Sequence, residues 1–82
     1  MAEHFVYIVE CRDGTLYTGY ATDVSRRIKT HNEGKGAKYT RNRRPVHLLH
    51  KEVYETKSEA LKREYAIKKL SRNEKLKLVR RE

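Results

Sequence analysis

Several residue types are nearly missing from this 82-residue chain: one cysteine (Cys11), one proline (Pro45), one phenylalanine and no tryptophan. A single cysteine excludes an intramolecular disulfide and argues against a cysteine-built zinc site. No apolar run approaches the roughly 20 residues that a membrane-spanning helix needs. Met1-Ala2-Glu3-His4 does not lead from a basic region into an apolar stretch, so no leader is expected and a soluble, cytoplasmic protein is. The hydrophobic share of 37% is too high for a disordered basic tail and low for a large core. One small domain over residues 1–82 is expected, which excludes an enzyme with separate cofactor and substrate lobes.

Acidic residues are the next scarcity, and they are unevenly placed. Net charge is +9, yet residues 1–25 hold one base (Arg12) against four acids (Glu3, Glu10, Asp13, Asp23). Residues 26–82 hold 19 bases against 7 acids, and the stretch from Lys35 to Arg44 carries five bases with no acid. Such a field attracts polyanions, of which nucleic acid is the commonest in cytosol. Solvated charge that keeps a small domain soluble is the plainer reading. Lys35, Lys38, Arg41, Arg43 and Arg44, with Tyr39 among them, are the candidate nucleic-acid contacts.

What is present divides into short elements. His4–Cys11 is aromatic and β-branched and reads as a strand; Arg12-Asp13-Gly14-Thr15 signals a tight turn, and Leu16–Tyr20 the returning strand. Thr22 or Asp23 can cap a helix running to about Glu33, stopped by Gly34 and Gly36. A basic loop over 35–44, with room for one short turn, ends at Pro45, and 46–54 reads as a third strand. Thr56-Lys57-Ser58-Glu59 and Ser71-Arg72-Asn73-Glu74 have capping-box spacing and open helices over about 57–70 and 72–80. In the last helix Leu76 and Val79 face either their own domain or a partner. The order β-β-α-β-α-α predicts an α+β fold: a small three-stranded antiparallel sheet flanked by helices.

Polar residues then fall where a core should be. On the helix over 57–70, Ala60, Leu61 and Ile67 define an apolar arc and Glu64 projects from its middle. A carboxylate there is costly unless it is paired or ligates a cation, and a buried ion pair with Arg or Lys is the simpler explanation. On the first helix Val24 and Ile28 mark the apolar face, with Arg27 and His31 at i, i+4 on its edge. Taken singly, Arg27 reads as a stem lying on the core with its head in solvent, and His31 as a hydrogen-bonded, partly buried histidine. Two helices that each turn a polar group inward favour a shared site more than either residue does alone. In the hairpin, a two-residue turn puts Tyr7 and Tyr17 on opposite faces and a three-residue turn puts them on one; propensity does not choose. His47 and His50, three apart in a strand, should face opposite ways and form no metal site with His4.

Val6-Tyr7-Ile8, Tyr17-Thr18-Gly19, Arg27, His31 and Glu64, in this order and spacing, resemble the GIY-YIG nuclease domain. The stretches Arg26–Asn32, Gly34–Arg41 and Ser58–Tyr65 resemble the small stand-alone bacterial members, and the likeness runs from about Phe5 to Val79. Val6 stands where the family name has Gly, and Thr18 where it has Ile. The resemblance implies a metal-dependent endonuclease acting on DNA rather than RNA, with Tyr7, Tyr17, Arg27, His31 and Glu64 around the scissile phosphate. It implies both tyrosines on one face, hence the three-residue turn, and Glu64 as ligand of one Mg²⁺ or Mn²⁺ ion. Tyr7 is then the candidate for taking the proton of the attacking water, with its phenol lowered from a pKa near 10 by the metal and Arg27. Tyr17 orients phosphate or water, and His31 accepts or relays a proton. A monomer is expected, with specificity drawn from the basic loop or from a protein partner. The competing expectations are a nucleic-acid-binding module without turnover and an accessory protein that answers an acidic partner.

Overall fold

A computed structural model describes residues 3–80. Three strands form one antiparallel sheet: β1 (His4–Glu10), β2 (Leu16–Ala21) and β3 (His47–Tyr54), in spatial order β2-β1-β3. The central strand explains its own sequence. Phe5, Tyr7 and Val9 point to one face and Val6 and Ile8 to the other, and both faces are covered, so the run is apolar throughout rather than alternating. Helices α1 (Val24–Asn32) and α2 (Lys38–Arg41) lie on the Tyr7 face, and α3 (Lys57–Lys68) and α4 (Arg72–Arg80) on the Ile8 face. No helix among the described residues is long and apolar enough to cross a membrane.

Caps set the helix ends where the sequence places them. Asp23 accepts the Arg26 N–H at the start of α1, and Thr56 accepts the Glu59 N–H at the start of α3. Ser71 and Glu74 exchange both bonds of a capping box before α4. Past α1, Gly34 takes φ +80°, and the N–H groups of Gly34 and Lys35 return to the carbonyls of His31 and Thr30. This Schellman closure needs a left-handed residue, which glycine supplies without a Cβ clash. The short turn allowed for in the basic loop is α2, a single helical turn.

Two expectations need correction. Leu61 is 41% exposed, because α3 seats on the sheet through the narrow strip of Ala60 and Ile67, and Leu61 lies one step of about 100° around the helix. His47 and His50 share a face instead of opposing each other. A bulge between the pairs Ile8–His50 and Val9–Leu48 inserts Leu49, which breaks the two-residue period of β3. His47 bonds Glu10 and His50 bonds Glu52. Leu76 and Val79 pack on their own domain, against the Val6–Ile8–Ile67 cluster.

Glu52 locks α3 to the sheet. Its carboxylate, 19% exposed, accepts from Arg63 Nε (2.8 Å) and a second Arg63 nitrogen (3.2 Å), His50 Nε2 (2.8 Å) and Tyr54 Oη (2.6 Å). Burial alone raises a carboxyl, but these donors outweigh it and hold Glu52 at about 2, from an ordinary 4.5. Because the folded value lies below the unfolded one, the stabilisation is complete above about pH 4.5 and lost as pH falls toward 2. It amounts to about 3 kcal/mol. Glu52→Gln should therefore unfold more easily at pH 7 and lose less stability than the parent between pH 5 and 2. Urea midpoints across that range check this; parallel pH profiles for the two proteins contradict it.

Candidate active site

The hairpin turn has three residues. Cys11 N–H donates to the Thr15 carbonyl at 2.8 Å, Gly14 sits at φ +85°, and Tyr7 pairs with Gly19 and Val9 with Tyr17. Tyr7 and Tyr17 therefore share the α1 face, their ring centroids 6.5 Å apart. The Tyr7 phenol lies across Gly19 so closely that a Cβ at residue 19 would overlap its ring and hydroxyl. The second triplet thus holds glycine because the first tyrosine occupies the space of a side chain.

His31 descends from α1 onto this pair. Its Nε2 is 2.9 Å from Tyr7 Oη and its Nδ1 is 2.8 Å from Thr40 Oγ1, while Thr40 Oγ1 donates to the Ala37 carbonyl at 3.0 Å. With the Thr40 hydrogen spent on that carbonyl, Nδ1–H donates to Thr40, and Nε2 is left to accept from the Tyr7 hydroxyl. The Ala37 N–H donates to Nδ1 over 3.4 Å, which favours the opposite tautomer, but this long bond is outweighed by the shorter contacts of Thr40 Oγ1 to Nδ1 and to the Ala37 carbonyl. Gly36 lets this loop approach, since a Cβ there would overlap the imidazole. His31 and Thr40 are fully buried and Tyr7 is 1% exposed.

Burial, together with the charge of Arg27, lowers the His31 pKa and keeps the ring neutral. For Tyr7, burial outweighs the favourable bond and charge of Arg27, and the phenol stands above its ordinary range rather than below it as the sequence reading expected. A neutral phenol bonded to a neutral imidazole results. Arg27 is half-buried beside them, and its Nε is sealed from solvent with no hydrogen-bond partner among the described residues. Such an orphaned donor costs about 1–3 kcal/mol.

Glu64 comes from a different helix, α3; it is 17% exposed and pairs with Lys68 Nζ at 3.1 Å. Its charge still reaches Tyr7, as the weakest of five influences on that phenol. The ion pair expected for an inward-facing carboxylate is present, made within the helix. One hard carboxylate suits Mg²⁺ or Mn²⁺, which bind through one or two carboxylates with waters and phosphate oxygens. No cluster of three potential ligands occurs among the described residues.

The basic loop divides into two kinds of residue. Tyr39 comes to the site and stacks on Tyr17 (centroids 5.8 Å apart, planes 23° apart), with the Arg43 guanidinium 4.2 Å above its centroid. Arg43 is committed to Asp13 (Nε to carboxylate 3.0 Å) and to the Tyr39 carbonyl. Arg44 is anchored to the carbonyls of Arg41 and Asn32. Lys35, Lys38 and Arg41 are exposed, and no side-chain hydrogen bond or ion pair engages them among the described residues. Thr40 was not among the candidate site residues, although it is the one threonine in the basic loop.

The family model for the GIY-YIG catalytic domain matches residues 3–77, and the chain belongs to this family. It is 65% identical over 80 residues to a UPF0213 protein of Staphylococcus aureus, covering 98% of each chain. The solution NMR structure of a UPF0213 protein from Bacillus halodurans is similar at 56% identity and TM-score 0.61, over 94% of this chain and 82% of that one. That of a protein from E. faecalis is similar at 51% identity and TM-score 0.63, over 92% and 80%.

Proposed function

We propose that this protein is a metal-dependent endonuclease that hydrolyses phosphodiester bonds of DNA, with structure-specific or repair-related substrates as the reading's finer form. The observation that carries it is Arg27, whose Nε is stripped of water and left without an acceptor beside the Tyr7–His31 pair. A phosphate oxygen is the acceptor this donor lacks, and guanidinium geometry suits it better than an ammonium does.

In the proposed reaction a water enters past Tyr17 and Arg27 and attacks phosphorus. As the new P–O bond forms, the water gives a proton to Tyr7 Oη and Tyr7 passes its own to His31 Nε2. A phenol with a raised pKa is a poor final acceptor, and the neutral imidazole behind it removes that obstacle. Arg27 holds the charge that gathers on the phosphate oxygens. The bond to the leaving sugar oxygen breaks, and that oxygen takes a proton from solvent water. Tyr17 orients phosphate or water. A Mg²⁺ or Mn²⁺ ion held by Glu64 would supply Lewis-acid stabilisation of phosphate and leaving group.

A nucleic-acid-binding module without turnover is the second reading, favoured by one observation: Lys68 already holds the Glu64 carboxylate. Metal titration separates the two. Cleavage of labelled duplex DNA should vanish with chelator, return with Mg²⁺ or Mn²⁺, and need about tenfold or more metal in Glu64→Gln. Binding without cutting at any metal concentration selects the module.

A further inference from the structure

Three arginines converge in a groove whose lining, among the described residues, holds no carboxylate. Arg12 from the hairpin turn and Arg41 and Arg44 from the basic loop line an open groove with Asn32, Asn42 and Pro45. Arg12 lies in the acidic first third of the sequence and was not among the candidate contacts. Its backbone N–H donates to the Arg43 carbonyl at 2.8 Å, which fixes the turn against the loop. The acid beside it, Asp13, is already bound to Arg43 and Thr15.

The groove is built rather than accidental. Arg44 donates through Nε to the Arg41 carbonyl (2.8 Å) and through Nη1 to the Asn32 carbonyl (3.3 Å). It also lies over Gly34, where a Cβ would crowd its guanidinium. That leaves its other terminal nitrogen for a ligand. The Arg12 and Arg41 side chains make no hydrogen bond or ion pair among the described residues. Like charges held together without a counter-ion repel one another, and an anion with several oxygens removes that cost.

From these observations we infer that the Arg12–Arg41–Arg44 groove binds an internucleotide phosphate of the substrate strand, away from the bond that is cut. The inference rests on the nuclease reading for the position of the cut. Arg27 and Asn32 are five residues apart on α1, about 7.5 Å along its axis. That separation is more than one phosphate group spans, so the groove meets the backbone at a phosphate other than the one that is cut. A phosphate contact of this kind sets register and orientation and reads no base.

The test is binding of a fluorescent DNA duplex, followed by anisotropy in chelator at 50–200 mM salt, with a single-stranded RNA of equal length as a second arm. Each neutralised phosphate contributes about 0.9 to the slope of log affinity against log salt, so Arg12→Gln and Arg44→Gln, which share one phosphate, should each lower that slope and together by no more than about 0.9. Lys62→Gln, exposed on α3 across the sheet, should leave it unchanged. Arg12→Gln is decisive because its side chain bonds nothing whose loss could unfold the loop. The same arginine dependence with RNA in place of DNA supports the groove and names its polymer. Unchanged slopes in both arginine variants, or no salt-dependent binding of either polymer by the parent, overturn it. Failure of the nuclease reading looks different: the arginine dependence of binding persists and Mg²⁺ or Mn²⁺ brings no cutting.

Discussion

Tyr7→Phe is expected to slow DNA cleavage about a hundred- to ten-thousand-fold while leaving affinity measured in chelator unchanged. In the proposed mechanism the substitution removes the oxygen that meets the water and hands its proton to His31 Nε2, 2.9 Å away. His31→Ala should lose a similar factor, since it takes away the group that makes a high-pKa phenol usable. The pH profile carries the sign. Burial and Arg27 push His31 below its ordinary 6.5, so the ring stays neutral and rate-competent as pH falls through 6.5, and the acid limb appears only below it. Thr40→Ser keeps the acceptor for Nδ1–H and should behave as the parent, whereas Thr40→Val releases the tautomer and should lose rate without losing DNA affinity. Single-turnover rates from pH 5 to 9 check all of these. A Tyr7→Phe protein that cuts at the parent rate removes Tyr7 from the proton path.

Gly19→Ala should be nearly as damaging to cleavage, although residue 19 touches no substrate in this mechanism. The added methyl would stand inside the Tyr7 phenol, and the β1–β2 pairing of Tyr7 with Gly19 holds both backbones in place. The tyrosine has to leave, which breaks its bond to His31 and opens the packing around it. Overpacking of this kind costs about 1–3 kcal/mol, enough to move thermal unfolding by several degrees in a domain this small. Joint measurement of melting temperature and cleavage rate checks it. Parent-like values for both would mean that Tyr7 does not lie across Gly19.

The parts legible in the sequence were those set by local chemistry. An unbroken apolar run marked the central strand because both its faces are covered. Side chains three residues apart marked the starts of α3 and α4, and the cap of α1 was narrowed to Thr22 or Asp23, of which Asp23 does the work. What stayed hidden depended on registers and approaches that no local propensity encodes. Both hairpin turns satisfied propensity, and only the family likeness favoured the three-residue form that the pairing of Val9 with Tyr17 displays. The bulge at Leu49 reverses the expected facing of His47 and His50, yet nothing in Leu48-Leu49-His50 signals an extra residue. In the site, Tyr7, Tyr17, Arg27 and His31 were all named from the sequence, but their pairing was not. It depends on how α1 lies over the sheet and on how closely Gly36 brings Thr40 to the imidazole. The basic stretch was read as uniform charge, whereas the structure commits Arg43 to Asp13 and brings Arg12 in beside Arg41 and Arg44.

The central claim is that Arg27, Tyr7 and His31 form a site for cutting phosphodiesters. Its most direct test is cleavage of labelled duplex, single-stranded, nicked, flap and four-way-junction DNA, and of RNA, by the parent and by Arg27→Ala purified side by side with Mg²⁺ or Mn²⁺. The account predicts cutting of at least one DNA substrate by the parent and none above background by the variant. Equal cutting by both proteins, or binding without cutting by the parent across the whole panel, would contradict it.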